Sequence, residues 1–475
     1  MRKRAVGYVV AGVLMGPFLA VLDQTMVSVA LPRMVAEVGG QAWYAWLKIS
    51  YLFFSTMATV VVGRLVEILP RKPVVVGACG GFVGGAGLCA LTPMGHGGEG
   101  VSWAFWWLMG ARALQGVGGG ALFAAAFATM AWFFPPRARS LWAGLIGAVF
   151  GIAAALGPPL GGLLTEKLGW RWTFWINLPL GLIGIALLIY AMPALPPAAQ
   201  GRFDGWGAGL LTLGAGAWLI GLSNFGSQKP IPLPLGIALL LLGGIAFYLW
   251  LRVERRAPSP LFDLSYLRLP SFRYAALAAF WFGPLFFGVI TFLPLYLQKV
   301  LDQPPALSGR YLLILTAVSV GSTAWVGARV SRHGRYKPFL VGGSVGLSGV
   351  LGTTAVFLPE RVSGGVLAGA LALAGLTTGP MQALLGVVAQ NDVPISRVGS
   401  VSSAVLFARQ MGASWGLAAW NALYTYGLHQ SGDIRIGLQA AFTGMAILSL
   451  ILVLTLLLLP DHRLRRRHIE EELAV

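Results

Sequence analysis

Apolar residues in this chain come in long uninterrupted runs, not in the alternation of a half-buried strand or the narrow stripe of a surface helix. Fourteen runs stand out, at about 6–31, 47–69, 74–93, 103–132, 140–164, 172–192, 205–224, 231–251, 272–297, 309–330, 338–358, 363–388, 399–424 and 439–460. A helix needs about 20 apolar residues to cross the hydrocarbon core of a bilayer, and each run is of that order. Lipid offers no partner to a free backbone N–H or C=O, so such runs are expected to be helices. The predicted fold class is an all-α polytopic membrane protein. Arg2-Lys3-Arg4 before the first run resembles the start of a signal peptide. The run is too long for that reading, and it is taken as a retained first helix. The longest polar stretch, Arg252 to Arg273, is a loop and leaves no room for a soluble domain.

Composition strengthens this picture and removes others. The chain of 475 residues is 57% hydrophobic and 11% charged, where soluble proteins average about 25% charged. Its 65 glycines suit close helix packing in a membrane. A net charge of +18 invites a nucleic-acid reading, but the basic residues are scattered over many short loops instead of forming one face. Cys79 and Cys89 share one apolar run and read as packing residues. The five histidines lack ligand spacing, so no metal site and no cofactor are expected. No nucleophile constellation, phosphate loop or Walker motif is present, which argues against an enzyme and against an ATP-driven pump.

The basic residues orient the chain. With the N-terminus inside, 23 of the 34 Lys and Arg fall on the inner side and nine on the outer, Lys48 among the nine; Arg112 and Arg409 lie within spans. Positive loops stay cytoplasmic, so both termini are expected in the cytoplasm and the span number is even. Trp43, Trp46, Trp103, Trp106, Trp107, Trp170 and Trp172 gather at the predicted outer ends and read as an interfacial belt. An internal repeat is also visible. The loop Gly63-Arg64-Leu65-Val66-Glu67-Ile68-Leu69-Pro70-Arg71-Lys72 returns as Gly327-Ala328-Arg329-Val330-Ser331-Arg332-His333-Gly334-Arg335-Tyr336-Lys337. Two six-helix halves, 1–192 and 263–475, with a two-helix insert at 193–262 account for the spacing, and repeated halves around a midplane site are a transporter architecture.

One residue carries most of the candidate chemistry. Asp23 lies inside the first run and is the one acid in the core of any predicted span. A charged group at the centre of a membrane helix costs roughly 2.5–3.5 kcal/mol on insertion scales, so it needs a cavity, a partner or a proton to carry. Arg112, Gln115 and Gly119 lie at i, i+3 and i+7 on one helix face. A buried Arg112 needs an anionic partner, and Asp23 is the candidate; a purely structural ion pair is the plainer alternative.

Ordered motifs then point to a family. They are Leu22-Asp23-x-Thr25…Leu31-Pro32, Gly63…Arg71-Lys72, Arg112-Ala113-Leu114-Gln115-Gly116, Gly157-Pro158-Pro159-Leu160-Gly161-Gly162, Trp170-Arg171-Trp172…Asn177-Leu178-Pro179, Phe203-Asp204-Gly207 and Arg409-Gln410-x-Gly412. In this set and order the chain resembles the major facilitator superfamily, in its fourteen-span drug:proton antiporter branch of the EmrB/QacA type. The resemblance implies a proton-coupled antiporter that exports lipophilic small molecules by alternating access in the cytoplasmic membrane. Rival readings are a lipid or fatty-acid carrier on the same fold and a non-transporting receptor or scaffold. The expected partners are a lipophilic substrate, protons and membrane lipids; a monomer is expected, and the periplasmic adaptor used by some relatives stays open.

The resemblance also implies roles. Asp23 and Arg112 would couple protons. Gly63, Glu67, Arg71 and Lys72 would latch the cytoplasmic side, although Glu67 and Pro70 stand where the family usually has Asp and Gly, and Ser331 replaces the acid of the second copy. Gly157, Pro158, Gly161 and Gly162 would gate, with the prolines bending the fifth span. Thr25, Gln115 and Asn421 are candidates for the substrate cavity. Trp281, Phe286 and Phe287 flank Gly283-Pro284, read as a break in the ninth span, and either line the cavity or face lipid. Arg409 either binds an anionic group or snorkels to the surface. A single core acid predicts that monovalent lipophilic cations or neutral lipophiles suit the interior better than dications.

Overall fold

The computed structural model describes residues 3–95, 100–133, 136–193, 203–223, 232–257, 261, 264–357, 363–393 and 398–461. Within helices, 3–6, 67, 127, 128, 130–133, 136–148 and 398–400 are described by backbone alone. The first half is built from α1 (Lys3–Val38), α2 (Trp46–Ile68), α3 (Arg71–Ala90), α4 (Trp103–Phe133), α5 (Pro136–Lys167), α6 (Trp172–Trp175) and α7 (Asn177–Ala191). The hairpin α8 (Gly205–Ser223) and α9 (Leu233–Glu254) follows. The second half comprises α10 (Pro270–Lys299), α11 (Pro305–His333), α12 (Lys337–Phe357), α13 (Gly364–Ala389), α14 (Val398–Ser431) and α15 (Ile434–Leu457).

Counting α6 and α7 as one crossing gives fourteen long helical segments among the described residues, and twelve are long and apolar enough to span a membrane. The two outside that set, α4 and α14, carry Arg112 and Arg409. The sole β pairing among the described residues is a bridge between Gly39 and Val101. Several helices run through proline without interruption. α5 continues past Pro158 and Pro159, and α10 past Pro284 and Pro294. The expected break at Gly283-Pro284 is therefore absent. Gly283 instead lies against the Arg409 carbonyl of α14, and Gly416 lies against Pro284, so small residues let α10 and α14 approach.

The internal repeat is visible in the packing. In the first half α1 packs on α5 and α7, α2 on α4, and α3 on α4 and α7. In the second half α10 packs on α14 and α15, α11 on α13, and α12 on α13 and α15. The halves meet reciprocally, α5 against α11 and α2 against α14. The repeated loops also do one job twice. Lys72 Nζ donates to the Ile189 carbonyl near the end of α7 at 2.7 Å, and Lys337 Nζ donates to the Leu457 carbonyl at the end of α15 at 2.9 Å. An ammonium there satisfies a terminal carbonyl and meets the negative end of the helix dipole.

The α8–α9 hairpin packs against α14 and touches α2. Trp218 of α8 stacks on Trp415 of α14 with ring centroids 5.3 Å apart, and Trp415 Nε1 donates to the Ala215 carbonyl at 3.2 Å. Its outer surface stays apolar: Leu241, Ile245 and Leu249 are exposed, as are Ile447, Leu450 and Leu454 of α15. These faces suit contact with lipid tails, not water.

Candidate functional site

Three helices of the first half converge on Asp23. α1 carries Asp23, α4 carries Arg112 and Gln115 one turn apart, and α7 opens with Asn177. All four side chains are almost wholly buried. Arg112 Nη1 donates to Asp23 Oδ2 at 2.6 Å. Asp23 Oδ1 accepts from Gln115 Nε2 at 3.0 Å and from Asn177 Nδ2 at 2.9 Å. Gln115 Oε1 in turn accepts from Arg112 Nη1 at 2.7 Å. The guanidinium lies over the ring of Tyr51, 4.3 Å from its centroid, and 5.7 Å from that of Phe174.

This geometry suits an ionised carboxylate. Its two oxygens accept three bonds, one of them from a guanidinium. Protonating Asp23 would strip Arg112 of its counter-charge, and an unpaired buried charge costs several kcal/mol. Gln115 belongs to this ionic cluster and not to a separate cavity wall. Asn177 completes the cluster; it stood in the sequence as part of a span-six motif, but without a role.

A second buried cation was misplaced by the sequence reading. Lys48, counted among the outer-loop charges, is 1% exposed inside the protein. Its Nζ donates to Ser28 Oγ at 2.6 Å and lies 5.5 Å from the ring centroid of Phe287 in the second half. α2 begins at Trp46, so Lys48 already sits within the helix, where side-chain direction decides between interior and exterior. Phe287 thus lies on the seam between the halves. Phe286 contacts Phe282 and Phe287. Trp281 packs on Phe280, which leads through Trp415 toward the α8–α9 hairpin.

Other candidates fall elsewhere than expected. The Thr25 hydroxyl turns back to its own helix, donating to the Val21 and Leu22 carbonyls. Asn421 is not a cavity group: its Oδ1 accepts from Ala45 N at 3.1 Å and its Nδ2 donates to the Ala42 carbonyl at 2.9 Å. It pins the α1–α2 connection to the second half. Arg409 is half-buried on α14 beside Gln410, whose Oε1 accepts from Thr56 Oγ1 of α2 at 3.3 Å. Trp170 is buried and not interfacial; its Nε1 donates to Glu37 Oε2 at 2.7 Å, and Arg171 Nη1 holds Glu37 Oε1 at 2.7 Å.

The gating residues divide in two. Gly157 lies against Thr25 and Gly161 against Met26, which seats α5 on the helix that carries Asp23. Gly162 lies against Pro305 and Ala306, and Pro158 against Gly309, which seats the same helix on α11 of the other half. Gly63 is different: a Cβ there would meet only Ala124, at 3.8 Å, an ordinary contact. Arg71 is buried at the start of α3. The side chain of Glu67 lies outside the described residues.

Among the described residues, most bonds between the halves lie at the tryptophan-rich end. Gln298 Nε2 donates to the Val29 carbonyl at 2.8 Å, Tyr44 Oη to the Thr291 carbonyl at 2.9 Å, and Ala306 N to Glu166 Oε2 at 3.1 Å. The Asn421 bonds join them. These bonds join the halves at that end.

Two pseudo-symmetric helical halves packed about a seam, with a buried ion pair inside the first, are an architecture expected of secondary transporters. The chain belongs to the Major Facilitator Superfamily, whose family model matches residues 13–417. The MFS-type transporter Rv1877 of Mycobacterium tuberculosis is 33% identical over 439 residues, 91% of this chain and 60% of that protein. This chain therefore spans less than two thirds of that relative. The multidrug transporter protein MdtP of Bacillus subtilis is 27% identical over 87% of this chain and 74% of its own length. The MFS-type efflux pump LUC4 of a Fusarium species is 30% identical over 88% of this chain and 73% of its own. Among solved structures, an inward-facing, unoccupied bacterial homologue of the human lysosomal transporter Spinster superposes with a TM-score of 0.67, covering 98% of this chain and all of that one at 14% identity. At that identity the likeness concerns the fold.

Proposed function

We propose that this protein is a proton-coupled antiporter that exports lipophilic small molecules by alternating access. On this reading it has fourteen spans, belongs to the EmrB/QacA-type branch, lies in the cytoplasmic membrane and keeps both termini in the cytoplasm. The carrying observation is the Asp23–Arg112 pair, 2.6 Å long and sealed from solvent. A charge so placed is costly, and transport of a proton gives a reason to keep it. The multidrug and efflux names of MdtP and LUC4 support the export of lipophiles.

In the proposed cycle, opening at the basic end hydrates Asp23, and substrate and proton compete for the interior. Substrate binding drives the proton from Asp23, which re-forms the pair with Arg112. The halves then rock about the α5–α11 and α2–α14 seams, and protonation from the far side resets the carrier. The test is proton release by the purified protein. Adding a lipophilic substrate to the detergent-solubilised wild type in weak buffer should release protons, and the Asp23→Asn variant should release none. Substrate binding without proton release in the wild type would overturn the antiport reading.

A further inference from the structure

We infer that the transported class includes amphipathic anions, organic acids with an aromatic or other lipophilic body, and that Lys48 is the residue that selects their charge. The inference rests on the transporter reading above and names the substrate chemistry of the same interior.

The argument is one of charge balance and position. Asp23 and Arg112 are paired with each other. Lys48 is equally buried, and no carboxylate among the described residues lies within ion-pair distance of it. Its recorded contacts are one hydroxyl and one aromatic face. A buried ammonium has three donors, and a single neutral acceptor leaves its charge uncompensated. Among the described residues Lys48 therefore has no anionic partner. That reverses the expectation drawn from a single core acid, because an incoming cation meets an unmatched cation while an incoming anion supplies the missing partner.

Position makes Lys48 available to a substrate. On α2, Lys48 and Thr56 fall on one face and contact the second half through Phe287 and Gln410, and Ala45 N, just ahead of the helix, bonds to Asn421. Lys48 thus sits in the seam that alternating access must part. When the halves separate, Phe287 leaves and the ammonium is uncovered between them. Its surroundings suit an amphiphile. Phe287 packs edge-on against Phe286 at 5.5 Å, and beyond it Tyr44 lies 5.9 Å from Phe292. Aromatic walls around one cation fit a flat apolar body that ends in a carboxylate or sulfonate.

Tetraphenylborate and tetraphenylphosphonium test this, since they match in size and differ in sign of charge. Binding to the full chain in nanodiscs is measured for the wild type, Lys48→Met and Lys48→Arg; partition into the lipid is common to the three. The wild type should bind the borate at least about tenfold more tightly than the phosphonium, a modest preference for one buried charge. Lys48→Met should bring the two within about twofold, and Lys48→Arg should keep the anion preference. Melting curves identify any variant that has lost its fold, and Lys48→Arg then carries the test alongside the wild-type preference. A wild type that binds neither ion or prefers the phosphonium, or an anion preference that survives in folded Lys48→Met, would overturn the inference. Anion selection without proton release would instead remove the antiport reading and leave this one standing.

Discussion

Arg112 Nη1 is bonded at once to Asp23 Oδ2 at 2.6 Å and to Gln115 Oε1 at 2.7 Å, so one guanidinium nitrogen locks the α1 carboxylate to the face of α4. Removing the charge of Asp23 should end proton coupling, with a loss of stability short of unfolding because Arg112 loses its counter-charge. Asp23→Asn keeps the side-chain shape and can still accept from Gln115 or Asn177. Proteoliposomes of this variant should show no substrate accumulation above the passive level under an imposed pH gradient, while counterflow exchange persists. Uphill accumulation in Asp23→Asn would refute the coupling role.

Arg112→Ala is a harsher change. It leaves Asp23 buried without its cation and opens space over Tyr51 and Phe174. Breaking a buried pair by deleting one partner costs about 3–5 kcal/mol. The double variant Asp23→Asn/Arg112→Ala should recover part of that loss, because no lone charge remains. Thermal unfolding of the four proteins in one detergent measures the coupling, and strictly additive losses would mean that the pair is not a unit.

Asn177 gives a finer test of the cluster. Its Nδ2 shares Asp23 Oδ1 with Gln115 and also donates to the Thr173 carbonyl at 3.2 Å. Asn177→Ala removes one bond to a charged acceptor, worth about 1.5–3 kcal/mol. It should alter the pH dependence of proton release while substrate affinity at fixed pH changes less. An unaltered pH profile would reduce Asn177 to a packing residue.

Much of this was legible in the sequence, and the failures share a cause. The fourteen apolar runs all became helices, and the acid–arginine pairing followed from one rule, that a buried charge needs a partner. Gln115 was placed on the face of Arg112 but read as a cavity residue, and the structure bonds it to Asp23 instead. Lys48 failed because its position at the end of a run says nothing about direction, and its contacts Ser28 and Phe287 belong to other helices. Asn421 failed for the same reason: its partners, Ala42 and Ala45, are in the other half of the chain. Thr25 was read as facing a cavity, but a threonine in a helix can satisfy its hydroxyl on its own backbone, and this one does. Gly283-Pro284 read as a break. In lipid, neighbouring helices and adjusted backbone bonds absorb the lost donors, and the helices continue.

Glu166 should act as a latch on the tryptophan-rich end. Its Oε2 accepts the backbone N–H of Ala306 at the start of α11, across the seam between the halves. A carboxylate at a helix N-terminus is favourable by roughly 0.3–1 kcal/mol, less where water screens it. Glu166 is partly exposed, with Lys167 Nζ 3.9 Å from Oε1, so the lower part of that range applies. Glu166→Gln should shift a modest fraction of molecules toward states open at that end. Spin-label distances across the α5–α11 seam read the shift, and an identical distance distribution would show that the bond does not hold the seam closed.

Gly162 offers the stronger perturbation of the same seam. A Cβ at this position would lie 2.5 Å from the Pro305 carbonyl oxygen and 2.9 Å from Ala306 Cα. Both obstacles are backbone, so no side chain can swing aside to make room. Gly161 next to it faces Met26 of α1 within the same half. The pair therefore separates two effects at one level of α5. Gly162→Val should cost about 1–3 kcal/mol of the closed state by overpacking, and the halves can escape that strain by parting. Gly161→Val presses on the backbone beside Asp23 and has no such escape, so it should lower thermal stability instead. The expected readout is a rise in cysteine labelling of a reporter near Ala306 in Gly162→Val, with melting temperature near that of the wild type. The reverse pattern, unchanged labelling and a large fall in melting temperature for Gly162→Val, would mean that the α5–α11 contact is a fixed part of the fold and that the carrier parts along another line.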